Sequence, residues 1–241
     1  MFPSAELSSD QVLVTANSRS NAARDSSWFD RSVNGISTGA YEHERDTWSL
    51  AVQRARAEGW ACVELCAILP PLVTSLAGYL EGEDDLAAFT RVSLHAPVGI
   101  ASPNEAIDAL LRLPLDGDVI LHPDIYGADD AVAALGPRAV FENMDVATRF
   151  GRTVDDVAAV LGRFPEAGFC LDVAHVWTND RSLDLGHALL DGFGPRLRQL
   201  HVSGIEPDGT HRDTTADDLA LYAPLLERCR HVPHVLETVL V

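Results

Sequence analysis

The segment GFCLDVAHVW, residues 168–177, reads as an apolar strand that stops at an acid and turns into a helix. Asp172 closes the apolar run, and His175 follows three positions later. Ordinary structural chemistry explains this spacing as a carboxylate that caps a helix beside a buried imidazole. Two ligands of a metal ion explain it equally well. The choice depends on what partners the rest of the chain supplies.

Outward from this segment the same unit recurs. Short β-branched or apolar runs occur at NGISTG (34–39), ACVEL (61–65), RVSLH (91–95), DVILH (118–122), AVFEN (139–143), LRQLH (197–201) and HVLET (234–238), which makes eight with GFCLD (168–172). Amphipathic stretches such as TWSLAVQRARAEG, SPNEAIDALLRL, TVDDVAAVLGRF and ADDLALYAPLLERC lie between them. Several open on a capping residue with an acid three positions on, as at Ser102/Glu105 and Thr153/Asp156. Strands alternating with helices of this length predict a parallel sheet. Eight units predict an α/β fold closed as a (β/α)8 TIM barrel, a single domain over residues 33–241. Residues 1–32 differ, being polar and rich in Ser, Asn, Asp and Arg, and read as an N-terminal extension. Only four residues follow Glu237, so the barrel is expected to lack a C-terminal eighth helix. QVLVTANSRSNAA (11–23) is a weak helical candidate for covering that gap.

The strand ends carry the chemistry. His95, His122, Glu142, Asp172, His201 and Glu237 each terminate a run. Successive side chains on a strand face opposite ways. Leu94, Leu121, Phe141, Leu171, Leu200 and Leu236 therefore pack outward, and the six polar residues project inward at the C-terminal rim, where barrels of this kind build active sites. Singly, each has a structural explanation: a satisfied histidine, an N-capping aspartate, a glutamate paired with arginine. Together, three carboxylates in one dry cavity would cost several kcal/mol without a cation. A mixed N/O set of this kind suits Zn, Mn, Fe or Co.

Composition narrows the function. The formal net charge is −18, and all eighteen basic residues are arginine. Without lysine there is no Schiff-base, PLP-linked or P-loop lysine chemistry. Acidity on this scale argues against nucleic acid as a partner, because duplex binding neutralises phosphates. No apolar run approaches a membrane span and the N-terminus lacks a signal pattern. Cys62, Cys66, Cys170 and Cys229 show no paired CxxC spacing and read as reduced, buried thiols. A cytoplasmic protein with a small-molecule substrate is expected; its oligomeric state is open, a homo-oligomer included.

The ordered series SLHAP, LHP, FEN, CLDVAH, LHVS and LET resembles the xylose isomerase-like barrel superfamily, which includes sugar isomerases, ketose 3-epimerases, sugar-phosphate isomerase/epimerase proteins and endonuclease IV relatives. NGISTGA looks like the first strand of its isomerase/epimerase-type members. The epimerase pattern implies one divalent metal on Glu142, Asp172, His201 and Glu237. The two glutamates would then be acid/base groups on opposite substrate faces, and His175 would hold a substrate oxygen. The endonuclease IV pattern implies a metal on His95, His122 and Glu142, a second on Glu142, Asp172, His201 and Glu237, and a third involving His175. The loop GTHRDTT carries His211 and Asp213 in the reverse of that family's order, so these two and Arg212 are candidates for a third metal or for substrate. The epimerases' arginine beyond the strand-seven histidine is not matched, since Pro207 stands there. Glu64 is a candidate for a substrate hydroxyl or a surface charge, and Trp177 for the pocket wall or the core. His43, His187, His231 and His234 are read as structural. The resemblance implies a divalent-metal-dependent isomerase or epimerase of a small sugar-like substrate, with two or more metals per chain. The alternatives are a multinuclear phosphodiesterase and a non-sugar, oxidative metalloenzyme on the same barrel.

Overall fold

Eight parallel strands close into a barrel in this computed structural model, which describes residues 29–41, 47–82 and 85–241. The strands are β1 (Gly35–Ser37), β2 (Cys62–Cys66), β3 (Arg91–His95), β4 (Asp118–Leu121), β5 (Ala139–Glu142), β6 (Gly168–Asp172), β7 (Leu197–Val202) and β10 (His234–Leu236). Around the barrel they run β1-β10-β7-β6-β5-β4-β3-β2. Closure is made by β1 against β10, with Gly35 opposite Val235 and Ile36 opposite Leu236. A small antiparallel hairpin, β8 (Gly204–Ile205) and β9 (His211–Arg212), rises from the end of β7. All eight predicted strands are present, each end within two residues of its expected bound.

The main helices are α1 (Trp48–Ala57), α2 (Pro70–Leu80), α3 (Pro103–Leu111), α4 (Pro123–Tyr126), α5 (Val154–Arg163), α6 (Val173–Asn179), α7 (Asp184–Phe193) and α8 (Ala216–Arg228). Their starts follow the expected chemistry. Ser102 Oγ accepts the Glu105 N–H, and Thr153 and Asp156 form a reciprocal capping box. Thr215 and Asp218 form a second box at the head of α8.

Parity separates two apolar layers. Leu94, Leu121, Phe141, Leu171, Leu200 and Leu236 belong to the large core between strands and helices. Ile120, Val140 and Cys170, one position earlier on three of these strands, form a separate cluster inside the barrel. Burying each outward Leu or Phe contributes roughly 1.5–3 kcal/mol, so a register slip on any strand would forfeit that gain and bring the rim acids among the helices. No helix follows β10 among the described residues. Instead Thr214 and Leu240 form an isolated parallel bridge, with the Thr214 N–H donating to Val239 O at 2.9 Å. The helical candidate at 11–23 lies outside the described residues, as does His43.

Candidate metal centre

Six side chains converge at the C-terminal rim. His95, Glu142 and Asp172 end β3, β5 and β6; His201 is next to last in β7; His122 and Glu237 follow directly after β4 and β10. Glu142 lies in their midst. Its Oε2 is 3.6 Å from His95 Nε2 and 3.7 Å from His122 Nε2. Its Oε1 is 3.2 Å from His201 Nδ1 and 3.3 Å from His175 Nδ1. His201 Nδ1 is also 3.2 Å from Glu237 Oε1.

In the opening segment the predicted cap forms, and the second carboxylate oxygen stays beside the His175 ring. Asp172 Oδ1 accepts the His175 N–H at 2.7 Å and so caps α6, while Oδ2 stays within 3.6 Å of the His175 ring. His175 Nδ1 is 2.9 Å from the Asn143 carbonyl oxygen, and His95 Nδ1 is 2.9 Å from that of Ala96. A carbonyl only accepts, so in each ring Nδ1 is a donor, and in the neutral form it is Nε2 that carries the lone pair. His175 Nε2 meets His211 Nε2, carried in by β9, at 3.2 Å.

Three groups of residues bring ligand atoms within 4.8 Å of one another: His95, His122 and Glu142; Glu142, Asp172, His201 and Glu237; and Asp172, His175 and His211. Glu142 belongs to two groups and Asp172 to two. Both Glu142 oxygens, Asp172 Oδ2, Glu237 Oε2 and His201 Nδ1 are buried and make no hydrogen bond among the described residues. Each such atom costs on the order of 1–3 kcal/mol, more where charged. A divalent cation answers all of them, and the donors are the imidazole nitrogens and carboxylate oxygens that Zn, Mn, Fe or Co accept. The residues therefore fit a metal.

The proton affinities show the same crowding. Burial would raise the Glu142 carboxyl, but His201, His95 and His175 hold it well below the usual range. Burial, reinforced by Glu237 and Glu142, drives Asp172 well above its usual range. Burial opposes the charging of His175, yet Asp172, Glu142 and Glu237 lift it to about 9. Burial and the neighbouring His95 push His122 down to about 3. Of the three carboxyls, Asp172 is the one whose ionised form this crowding disfavours.

Other candidates fall elsewhere. Glu64 neither meets the pocket nor reaches the surface: parity turns it inward and it is fully buried below the rim. Trp177, two residues past His175 on α6, is turned about 200° from it. Its ring packs on the core and lies under the Arg181 guanidinium at 3.2 Å, away from the pocket wall. Arg212 borders the pocket but is bound by both oxygens of Asp218, at 2.7 and 2.8 Å. Asp213 also borders the pocket and joins none of the three ligand groups, whereas His211 joins one. His234 is buried against the Cys229 carbonyl, consistent with a structural role.

Sequence reading missed Asn143 and Gln199. Asn143 grips the Asp172 main chain from both sides, accepting its N–H at 2.9 Å and donating to its carbonyl at 3.0 Å. Gln199 could have been found by parity, since it stands two positions before His201 on the inward face. Above the rim opens a cavity of about 490 Å³, bordered by Ser37, Ile68, Asp124, Met144, Asp145 and Thr148 besides the ligand groups. That is the size range of small-molecule sites.

No protein-family model and no curated protein matches the chain. Solved structures do. One, a "D-tagatose 3-epimerase-like protein", is 13% identical over 86% of this chain and 90% of its own, with a TM-score of 0.55. Another, the "probable 3-DHS dehydratase AsbF involved in the petrobactin synthesis from Bacillus anthracis", is 13% identical over 86% of this chain and 92% of its own, with a TM-score of 0.57. Likeness at this identity shows the fold. It is a closed barrel of eight parallel strands with helices between them.

Proposed function

We propose that this chain is a divalent-metal-dependent isomerase or epimerase that moves a proton next to the carbonyl of a small sugar-like substrate. The observation that carries the reading is the pairing of Glu142 and Glu237. They come from β5 and β10, which are separated in the barrel by β6 and β7, and each places an oxygen 3.2 Å from the same His201 nitrogen. A substrate in the cavity above the rim is flanked by these two carboxylates. One, ionised, takes the proton from the carbon beside the carbonyl and keeps it; the other, entering as the neutral acid, delivers its own proton to the opposite face. A bound divalent cation would supply electrophilic stabilisation of the charge that develops on the substrate oxygen. His175 and His211 border the cavity and are placed to hold substrate hydroxyls where they do not ligate. The epimerase-like neighbour supports this reading by its name and by the shared barrel.

A specific observation favours a second reading. The His95/His122/Glu142 and Asp172/His175/His211 groups extend the centre beyond what a single cation needs. Clustered metals suit a phosphodiesterase that polarises a phosphate and generates hydroxide. Against it stand the net charge of −18 and the engagement of Arg212 by Asp218.

One pair of assays separates the two. Metal-replete protein incubated with a panel of ketoses in D2O should incorporate deuterium at the carbon beside the carbonyl. Absence of exchange across the panel, combined with metal-dependent nicking of abasic DNA, would replace the first reading with the second.

A further inference from the structure

One layer below the rim, Glu64 makes a contact that no ligand assignment uses. Its Oε2 lies 2.9 Å from His201 Nε2, 2.6 Å from Gln199 Nε2 and 3.4 Å from Ser93 Oγ. Glu64 is on β2 and His201 on β7, and β1 and β10 intervene in the barrel order. The link therefore crosses the barrel interior between residues 137 positions apart.

We propose that Glu64 is a positioning residue that fixes which nitrogen of His201 faces the metal centre. The inference rests on the reading of His201 as a ligand. An ionised carboxylate only accepts hydrogen bonds, and three donors converge on this oxygen. Gln199 Nε2 also lies 2.9 Å from His201 Nε2, but an amide nitrogen has no lone pair to offer a ring proton. The Nε2 proton therefore goes to Glu64. The opposite tautomer would aim the Nε2 lone pair at the carboxylate. It would also place a proton on Nδ1, between the Glu142 and Glu237 oxygens, where the cation has to sit. His95 and His175 fix their tautomers with main-chain carbonyls, which no side-chain substitution removes. His201 does so through a side chain. A carboxylate behind a ligating imidazole also raises its basicity, and loss of such a partner costs about 10–100-fold in metal affinity.

The test uses full-length protein labelled with ¹⁵N at histidine and loaded with zinc. Long-range ¹H–¹⁵N correlation should show His201 protonated at Nε2 and coordinated at Nδ1. In Glu64→Gln, competition with a chelating dye should show zinc affinity down about 10–100-fold, with the far-UV circular dichroism unchanged. A proton on Nδ1 in the wild-type zinc form overturns the proposal, and does so even if Glu64→Gln fails to fold. A coordinated Nδ1 with unaltered zinc affinity in Glu64→Gln overturns the proposal alone. Zinc-insensitive His201 signals overturn the ligand reading, and the proposal with it.

Discussion

At the scale of single residues, the two glutamates make the sharpest claim. Replacing either by glutamine keeps volume and removes the proton acceptor. Glu142→Gln and Glu237→Gln are each expected to lower turnover by about 10²–10⁴-fold, with far-UV circular dichroism unchanged. Full activity in both variants would sink the acid/base assignment. These residues were legible because parity is a local rule: Glu142 follows Phe141, Asp172 follows Leu171, and direction needs no knowledge of the fold. Depth was not legible. Glu64 obeys the same parity, but its burial and its contact with His201 depend on what lies across the barrel. For Trp177, read as pocket wall or core, nearness in sequence to His175 could not decide; the helical turn between them puts it on the core.

At the scale of elements, the β8–β9 hairpin decides whether the third group of ligands exists. It carries His211 to within 3.2 Å of His175, and Gly204 is its tight point. A Cβ on Gly204 would stand 2.3 Å from the Asp213 carbonyl oxygen and 2.9 Å from that of Arg212, both backbone atoms that cannot swing aside. Gly204→Ala should therefore displace His211. The expected outcome is loss of the weakest-bound metal in a titration, while the group around Glu142 and Asp172 keeps its own. An unchanged metal stoichiometry would show that His211 is not a ligand. The order His-x-Asp in GTHRDTT could not reveal this, since two-residue strands leave no periodicity to read.

The hairpin is tied to α8 by Arg212 and Asp218, and this tie is sensitive to acid. Burial opposes ionisation of Asp218, but Arg212 and Thr215 together hold its carboxyl below the ordinary value of 3.8. A carboxyl lowered in the fold contributes stability above its unfolded pKa and loses it as pH falls through the folded one. Asp218→Asn should cost about 1–2 kcal/mol at neutral pH. In chelator-treated samples, the gap to wild type should narrow below pH 3.8. Urea melts across pH check this; a gap that widens in acid would reverse the sign of the argument.

At the scale of the whole molecule, the barrel and the helices between its strands were legible. Eight apolar runs ending in polar residues of like parity leave few alternatives to a closed parallel sheet. What lies outside β10 and β1 has no such repeat to betray it. The rim has a global consequence as well. Strands β3, β5, β6 and β7, together with the residues directly after β4 and β10, contribute to one centre, so a cation there joins segments spread from His95 to Glu237. Such a cation binds the folded chain and not the unfolded one, and stabilises by mass action: about 4 kcal/mol at a thousand times its Kd. For a chain of 241 residues that corresponds to roughly 8–16 °C in Tm. Tm should climb steadily with the logarithm of free zinc or manganese and fall on chelation. In Glu142→Gln, which loses a member of two ligand groups, that slope should flatten. A Tm indifferent to metal in the wild type would remove the cation from the fold and, with it, the reason three carboxylates share one buried rim.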